Sequence, residues 1–162
     1  QWADAGHRER ALGRQPGGVD MVTAEGLLRR KSGVLYSIDP DEPVLEAIQL
    51  MADHSIGAVL VMKGTELAGI VSERDYARKV VLCGRSSSDT PVWQIMSSPV
   101  ITVTPDVSLD DCMRIMTTQR IRHLPVTEGA GVLGMLSIGD LVKAVIDEQK
   151  RTIEELELYI RS

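Results

Sequence analysis

The sequence is poor in the residue types that build catalytic and metal sites. It contains only two cysteines and three histidines among 162 residues. Cys83 and Cys112 form no metal or redox motif, and the histidines do not have the spacing of metal ligands. There is also no Gly-rich Walker loop and no recognisable Ser/His/Asp arrangement. These absences argue against an enzyme and against a metal requirement.

Long apolar runs and a positive net charge are missing as well. No apolar run approaches the roughly 20 residues that a bilayer-spanning helix needs. Arginines near the start, Arg8, Arg10 and Arg14, are not followed by the apolar block of a signal peptide. The net charge of −5 disfavours a dedicated nucleic-acid binder, because phosphate neutralisation needs a basic surface. We therefore expect a cytoplasmic protein with no membrane or nucleic-acid partner.

What the chain does contain is an internal duplication. The stretch Gly-x-x-Ser-x-x-Asp occurs twice, with its aspartates at Asp75 and Asp140, 65 positions apart. The same offset aligns further identical residues, including Pro40/Pro105, Met51/Met116, Val61/Val126, Gly64/Gly129 and Val80/Val145. Since a unit of about 65 residues is marginally stable alone, we expect two small lobes that share one core.

Hydrophobic patterning predicts the order β-α-β-β-α in each repeat, hence an α/β (α+β) fold with the two sheet faces packed against each other. Strands are predicted at 34–38, 58–62 and 67–71 and, in the second repeat, at 100–103, 124–127 and 132–136. The helix that Ser72 begins is predicted to end at Cys83 and Gly84. The predicted divisions are an extension at 1–22, repeats at 23–84 and 92–148, a linker at 85–91 and a C-terminal helix at 149–162.

The last helix is predicted to continue through Arg161, well beyond its counterpart in the first repeat. A narrow a/d-type stripe falls at alternating spacings of three and four, namely Ile146, Gln149, Ile153, Leu156 and Ile160. The pattern fits a helix docked on its own domain and a dimer seam equally well. Fewer than three to four heptads are present, so a free coiled coil has weak support.

Each Ser-x-x-Asp stretch has two interpretations. A serine at a helix start accepts the N–H three residues on, and an acid there complements the helix dipole. One copy needs no other explanation. Because the glycine, serine and aspartate recur together, we favour a nucleoside site, in which a short acid accepts both ribose hydroxyls and the glycine allows close backbone approach.

These motifs, together with 102–106 (TVTPD) and 120–126 (RIRHLPV), make the chain similar to a tandem pair of cystathionine-β-synthase (CBS) domains. The resemblance covers about 24–148 and is closest to small signal-transduction proteins made of one such pair. It implies pseudo-twofold symmetry, two clefts between the repeats and a non-catalytic regulatory role. In the family that the chain resembles, such pairs are also the regulatory modules of inosine-monophosphate dehydrogenase and of the gamma subunit of AMP-activated protein kinase.

The resemblance assigns residues from both repeats to each cleft. The first cleft is expected to contain Ser72, Arg74, Asp75, Arg78, Thr104, Arg120, Ile121, Arg122, His123 and Pro125. The second is expected to contain Asp39, Ile56, Gly57, Ala58, Ser137 and Asp140. Because the first has more positive charge, we expect a mononucleotide such as AMP in one cleft and a bulkier adenosyl ligand such as ATP or NAD in the roomier one. The alternative interpretation of Arg120 and Arg122 is that they are solvated turn residues. The alternative interpretation of His123 is that it is a structural histidine without a ligand.

The predicted function is therefore a regulatory module that senses adenine nucleotides (AMP, ADP, ATP or NAD). The resemblance implies a homodimer formed through the helices that follow the Ser-x-x-Asp stretches, and an unidentified protein partner is expected to read the signal. The alternative is a structural dimerisation or adaptor protein in which these stretches serve only as helix caps.

Overall fold

The computed structural model describes residues 21–31 and 33–161. Predictions for 1–20, which include most of the N-terminal extension, lie outside the described residues. The described chain divides into two compact units. One contains Val34–Ile101, and the other contains the described residues up to Gly33, Thr102–Glu128 and the chain from Leu133 onward.

Mixed helices and strands follow in the predicted order. They are α1 (Ala24–Arg30), β1 (Ser37–Ile38), α2 (Val44–His54), β2 (Ala58–Lys63), β3 (Glu66–Ser72), α3 (Glu73–Tyr76), α4 (Leu109–Gln119), β4 (His123–Glu128), β5 (Gly131–Ser137) and α5 (Ile138–Arg161). A π-helical turn, Ala77–Val81, continues α3, and a 3₁₀ turn, Val92–Gln94, precedes the second repeat. The predicted α/β class and the long C-terminal helix are confirmed.

The first unit is built on a three-stranded sheet of order β1-β2-β3. β1 runs parallel to β2, and β2 runs antiparallel to β3 with Val59 opposite Val71. The 3₁₀ turn closes this unit, because Val92 N donates to Glu42 O at 2.9 Å. Its core consists of Val44, Ala47, Met51, Val59, Val61, Val71, Val80, Val92 and Ile95.

The second unit contains the β4–β5 hairpin, α4 and α5. The first helix of the chain, α1, also belongs here: Ala24 N donates to Val107 O at 2.8 Å, and Leu109 N donates to Val22 O at 2.8 Å. Thr23 caps α1, because its hydroxyl oxygen accepts a hydrogen bond from Gly26 N. The core consists of Ala24, Leu27, Val103, Leu109, Cys112, Met116, Leu124, Val126, Leu136, Leu141 and Ala144.

The predicted strand at 100–103 is wrong, since only Val103 forms a bridge, parallel to Val126. The reason is Pro125, which has no N–H that could donate a hydrogen bond to the carbonyl oxygen of Ile101. In the first repeat the equivalent donor exists, because Leu60 N donates to Tyr36 O at 3.3 Å. Strand β1 therefore forms there, although it is shorter than the predicted 34–38.

The helix that follows Ser72 changes form before its predicted end at Cys83 and Gly84, where Gly84 has a left-handed backbone at φ 66°. Its α-helical part stops at Tyr76, and the π-helical turn ends at Val81, before Cys83. Its counterpart in the second repeat, α5, stays α-helical throughout its 24 residues. The two repeats thus share the start of this helix but not its continuation.

Candidate functional site

The first Ser-x-x-Asp motif forms a reciprocal cap where β3 meets α3. Ser72 N donates to Asp75 Oδ2 at 2.9 Å, and Asp75 N donates to Ser72 Oγ at 3.1 Å. The Ser72 hydroxyl donates to the same carboxylate oxygen at 3.0 Å. The serine and the aspartate therefore hold each other in place, as a capping box requires.

The second motif repeats this arrangement where β5 meets α5. Ser137 N donates to Asp140 Oδ2 at 2.8 Å, and Asp140 N donates to Ser137 Oγ at 3.2 Å. The capping interpretation is confirmed in both copies. A third Ser-x-x-Asp stretch caps α4, where Asp111 N donates to Ser108 Oγ at 3.1 Å. Capping geometry alone is therefore not evidence of a ligand site.

Each motif is also held by the residue immediately before β2 in the first repeat and immediately before β4 in the second. Glu73 N donates to Gly57 O at 3.0 Å, and Ile138 N donates to Arg122 O at 2.8 Å. These two contacts are equivalent under the 65-residue offset. They bring Arg122 beside the Asp140 motif within the second unit, whereas the resemblance had placed it opposite Asp75. The pairing of residues across the repeats stays a prediction.

A lysine contacts the aspartate in each motif, and neither lysine was predicted. Lys79 Nζ lies 3.1 Å from Asp75 Oδ1 and donates to Ile95 O at 2.8 Å. Lys31 Nζ lies 2.9 Å from Asp140 Oδ2 and donates to Met135 O at 2.9 Å. Lys79 could have been found from its i,i+4 spacing. Lys31 is remote in sequence, so no local pattern points to it.

The charges around the second motif keep Asp140 ionised. Burial opposes ionisation, but the Ser137 backbone N–H, the Lys31 ammonium group and the Ser137 hydroxyl outweigh it, so the pKa of Asp140 is lowered. Burial lowers the pKa of His123, and the charges of Lys31 and Arg122 add to this against the opposing effect of Asp140. The site therefore combines a carboxylate with a lysine and an imidazole that favours its neutral form.

The glycine that opens each motif, Gly69 in the first repeat and Gly134 in the second, has a packing role. A Cβ atom at Gly69 would lie 2.5 Å from Met96 Sδ, and one at Gly134 would lie 2.7 Å from Leu28 Cδ2. We expected these glycines to allow close approach of a ligand. In each unit, an apolar side chain of that unit fills the space beside the glycine. The glycines therefore allow close packing of this side chain, and the expected role in admitting a ligand is corrected.

The remaining predicted site residues differ in accessibility. Pro125 and Ala58 are buried within strands, so their side chains belong to the interior of the units. Exposed residues are Asp39, Arg74, Arg78, Arg120 and Arg122. Half-buried residues are Ile56, Gly57, Ser72, Asp75, Thr104, Ile121, His123, Ser137 and Asp140.

Two of these polar residues have local structural roles. Arg120 ends α4 with a left-handed backbone at φ 55°. This conformation is uncommon for a residue other than glycine and supports the turn alternative for Arg120. The hydroxyl of Thr104 donates to Asp106. Among the described residues, no group of three or more His, Cys, Asp or Glu side chains could hold a metal ion.

Comparison with known proteins identifies the family. The family model of the CBS domain matches residues 32–82 and 92–147. The chain belongs to the CBS domain family. The two matches coincide with the two copies of the 65-residue repeat, so the duplicated motif at Asp75 and Asp140 is a feature of a CBS pair.

Relatives of this CBS pair come from several kinds of organism. The mitochondrial CBS domain-containing protein CBSX3 of Arabidopsis thaliana is 44% identical over 126 residues, which cover 75% of the chain and 61% of CBSX3. The chain thus spans about three fifths of that relative. YhcV of Bacillus subtilis is 32% identical over 65% of the chain and 74% of YhcV.

Among solved structures, a protein of Burkholderia ambifaria described as a signal-transduction protein with CBS domains is 49% identical, with a TM-score of 0.76. The match covers 79% of the chain and 96% of that protein. The CBS pair of protein MJ0100 shares the fold, with a TM-score of 0.71 at 19% identity over 80% of the chain and 99% of MJ0100's pair.

CBS pairs are regulatory modules, and the comparisons place this chain among them. Inosine-5'-monophosphate dehydrogenase of Thermoplasma acidophilum is 33% identical over 67% of the chain, but the match covers only 21% of that enzyme. The shared part is therefore about one fifth of that enzyme. In the described residues, no helix is both long and apolar enough to span a membrane. The cytoplasmic location stays a prediction.

Proposed function

We propose that this CBS pair senses an adenine nucleotide, with Asp75 and Asp140 each accepting hydroxyl groups of one ribose. The observation that carries the proposal is the repeated placement of an aspartate side chain at the junction of a strand and a helix, at Asp75 and at Asp140. The hydrogen bonds that Ser137 N and Lys31 Nζ donate to Asp140 both end on its Oδ2 atom. A carboxylate has about four acceptor positions, so ribose hydroxyls can use the second oxygen.

Comparison with a relative of the same fold supports an adenosyl ligand. The CBS pair of MJ0100 was solved in complex with 5'-methylthioadenosine and S-adenosyl-L-methionine. Both molecules carry a ribose joined to adenine, which is the portion that an aspartate at this place would recognise. The ligands we propose are AMP, ADP, ATP, NAD or another adenosyl compound.

The two sites are proposed to differ in ligand or affinity. Arg122 and His123 in the second repeat replace Gly57 and Ala58 of the first. This exchange puts a guanidinium and an imidazole where the other repeat has no side-chain charge. We propose a mononucleotide such as AMP where the positive charge is greater, and ATP or NAD where there is more room. Isothermal titration that shows one class of identical sites would contradict this part.

Binding is proposed to act as a signal because each ligand would contact both repeats, as the resemblance implies. A ligand that favours one arrangement of the repeats shifts the population toward that arrangement. A homodimer is proposed as the assembly, and a protein partner would read the change. CBS relatives form other assemblies too, since the cyanobacterial CBS-CP12 protein is hexameric.

An adaptor function is the second candidate, and the third cap favours it. Ser108 and Asp111 show that this chain uses Ser-x-x-Asp purely to begin a helix. If Ser72/Asp75 and Ser137/Asp140 do only this, the protein would need no nucleotide. The two candidates therefore differ in what the aspartates contribute beyond capping.

Asp75→Asn and Asp140→Asn test the proposal, with Asp111→Asn as the control for loss of a carboxylate in the first turn of another helix that begins with Ser-x-x-Asp. Thermal unfolding is measured with AMP, ATP, NAD and S-adenosyl-L-methionine, each well above its dissociation constant. A ligand at 100 times that constant should stabilise the wild type by about 2.7 kcal/mol. We expect each of the first two variants to lose the shift of its own site, while Asp111→Asn keeps both.

The outcome distinguishes the candidates. Equal ligand shifts in all three variants would show that the ribose roles are wrong. If no adenine ligand shifts the wild type, the adaptor function is favoured. Native mass spectrometry of freshly purified protein shows any co-purified nucleotide and the oligomeric state in one measurement.

A further inference from the structure

The C-terminal half of α5 carries an apolar stripe that remains open to solvent. Every described residue from 149 to 161 is exposed, whereas the buried residues of α5, Leu141 and Ala144, come earlier. Ile153, Leu156 and Ile160 keep 55%, 56% and 79% of their surface exposed. Their spacings of three and four place them on one face. A helix end of this length is marginal in water without a partner surface.

We propose that this stripe pairs with the same stripe of a second copy of the chain, in antiparallel orientation. Ile153 and Ile160 occupy a positions of a heptad pattern, and Gln149 and Leu156 occupy d positions. When two such helices run in opposite directions, a positions pack against d positions. Ile153 then packs against the partner's Leu156, and Ile160 packs against the partner's Gln149, near each end of the seam.

The charged residues beside the stripe select the antiparallel orientation. Lys150 and Glu157 occupy the e positions of this segment. In antiparallel helices e positions flank e positions, so Lys150 of one copy lies beside the partner's Glu157, and the twofold axis creates this pair twice. In parallel helices e positions flank g positions. The g residues here, Thr152 and Tyr159, carry no charge, so the parallel form has no complementary pairs.

The self-complementary pattern identifies a second copy of the chain as the partner that covers the stripe. A twofold interface uses the same surface on both chains, so each residue and its counterpart must match. The stripe meets this condition in its charges and at its centre, where Ile153 lies against the partner's Leu156, while Gln149 lies beside the partner's Ile160 at each end. Leu158 lies on another face and takes no part. The segment lies outside residues 92–147, which the CBS family model matches, so this seam is distinct from an association of the repeats themselves.

Charge exchange at the two e positions tests the proposal. Sedimentation of the full chain is compared for the wild type, Lys150→Glu, Glu157→Lys and an equal mixture of these two variants. Each variant alone places like charges together twice, and we expect its self-association through α5 to weaken about tenfold. The mixture places opposite charges together again, so it should recover association and give mixed species above the statistical share in native mass spectrometry.

Arg151→Glu is the matched control. It reverses the charge four residues before Glu155, just as Lys150→Glu reverses the charge four residues before Glu154, but position 151 faces away from the stripe. Circular dichroism checks that helix content is equal in both variants. Wild-type behaviour of Arg151→Glu with recovery in the mixture supports the antiparallel seam. A monomeric wild type, equal association in all variants or a mixture that fails to recover would overturn it, whatever the nucleotide assays show.

Discussion

Lys31 Nζ lies 2.9 Å from Asp140 Oδ2, and this contact ties the residue after α1 to the first turn of α5. Asp75, the counterpart of Asp140, is instead paired with Lys79 on its own helical segment. Two motifs with the same sequence are therefore held by lysines from different parts of the chain. Ligand binding at Asp140 would compete with a tertiary contact, whereas binding at Asp75 would compete with a local one.

Lys31→Met should raise the pKa of Asp140, because the variant loses both the hydrogen bond and the charge of the ammonium group. The effect on stability should be modest, since Lys31 and Asp140 keep 39% and 27% of their side chains exposed. Carbon NMR of the aspartate carboxyl groups through a pH titration measures the shift. Arg30→Met is the control for loss of one positive charge at the end of α1. An identical titration of Asp140 in both variants would show that Lys31 does not stabilise the carboxylate.

Gly134→Ala should destabilise the second unit by about 1–3 kcal/mol, because the new methyl group would overlap Leu28. Gly33→Ala is the control, since nothing lies within 4 Å of a Cβ there. Urea unfolding gives both values. The double variant with Leu28→Ala should lose less than the sum of the two single changes. Strict additivity would mean that Leu28 is not what the glycine accommodates.

Local chemistry explains why the motif starts were predictable from the sequence. Ser72 and Asp75 are three residues apart, and a capping box depends only on that spacing and on the backbone it caps. The same holds for Ser137 and Asp140. The contact of Lys31 with Asp140 joins residues 109 positions apart, so it depends on how α1 packs in the second unit. No local periodicity carries that information.

The strands also show that a local sequence pattern does not predict a contact with a distant part of the chain. Apolar runs predicted β2 and β4 correctly because burial on both faces leaves a continuous hydrophobic signal. The segment 100–103 has a similar apolar pattern, but its pairing depends on its neighbour in the sheet. Pro125 removes the donor that a longer ladder needs. The family resemblance gave Pro125 a place in the ligand cleft, whereas its buried position gives it a role in ending the strand pairing.

The two cysteines should react very differently with a thiol reagent. Burial and the charge of Asp111 raise the pKa of Cys112 to about 12, whereas Cys83 is exposed. Because the thiolate is the reactive form, Cys112 should be inert in the folded protein. Titration with a chromogenic disulfide should give about one thiol per chain in buffer and two in denaturant. Rapid reaction of Cys112 in a Cys83→Ser variant would contradict the buried position.

His123 should make the protein less stable as the solution becomes mildly acidic. Its pKa is lowered from 6.5 chiefly by burial, so the unfolded chain takes up a proton while the folded chain does not. The contribution is fully present above pH 6.5 and is lost as the pH falls from there toward the folded pKa. One proton limits the slope to ~1.4 kcal/mol per pH unit. His123→Gln should flatten the urea-unfolding free energy between pH 7.5 and 5, and an unchanged slope would mean that another group titrates in this range.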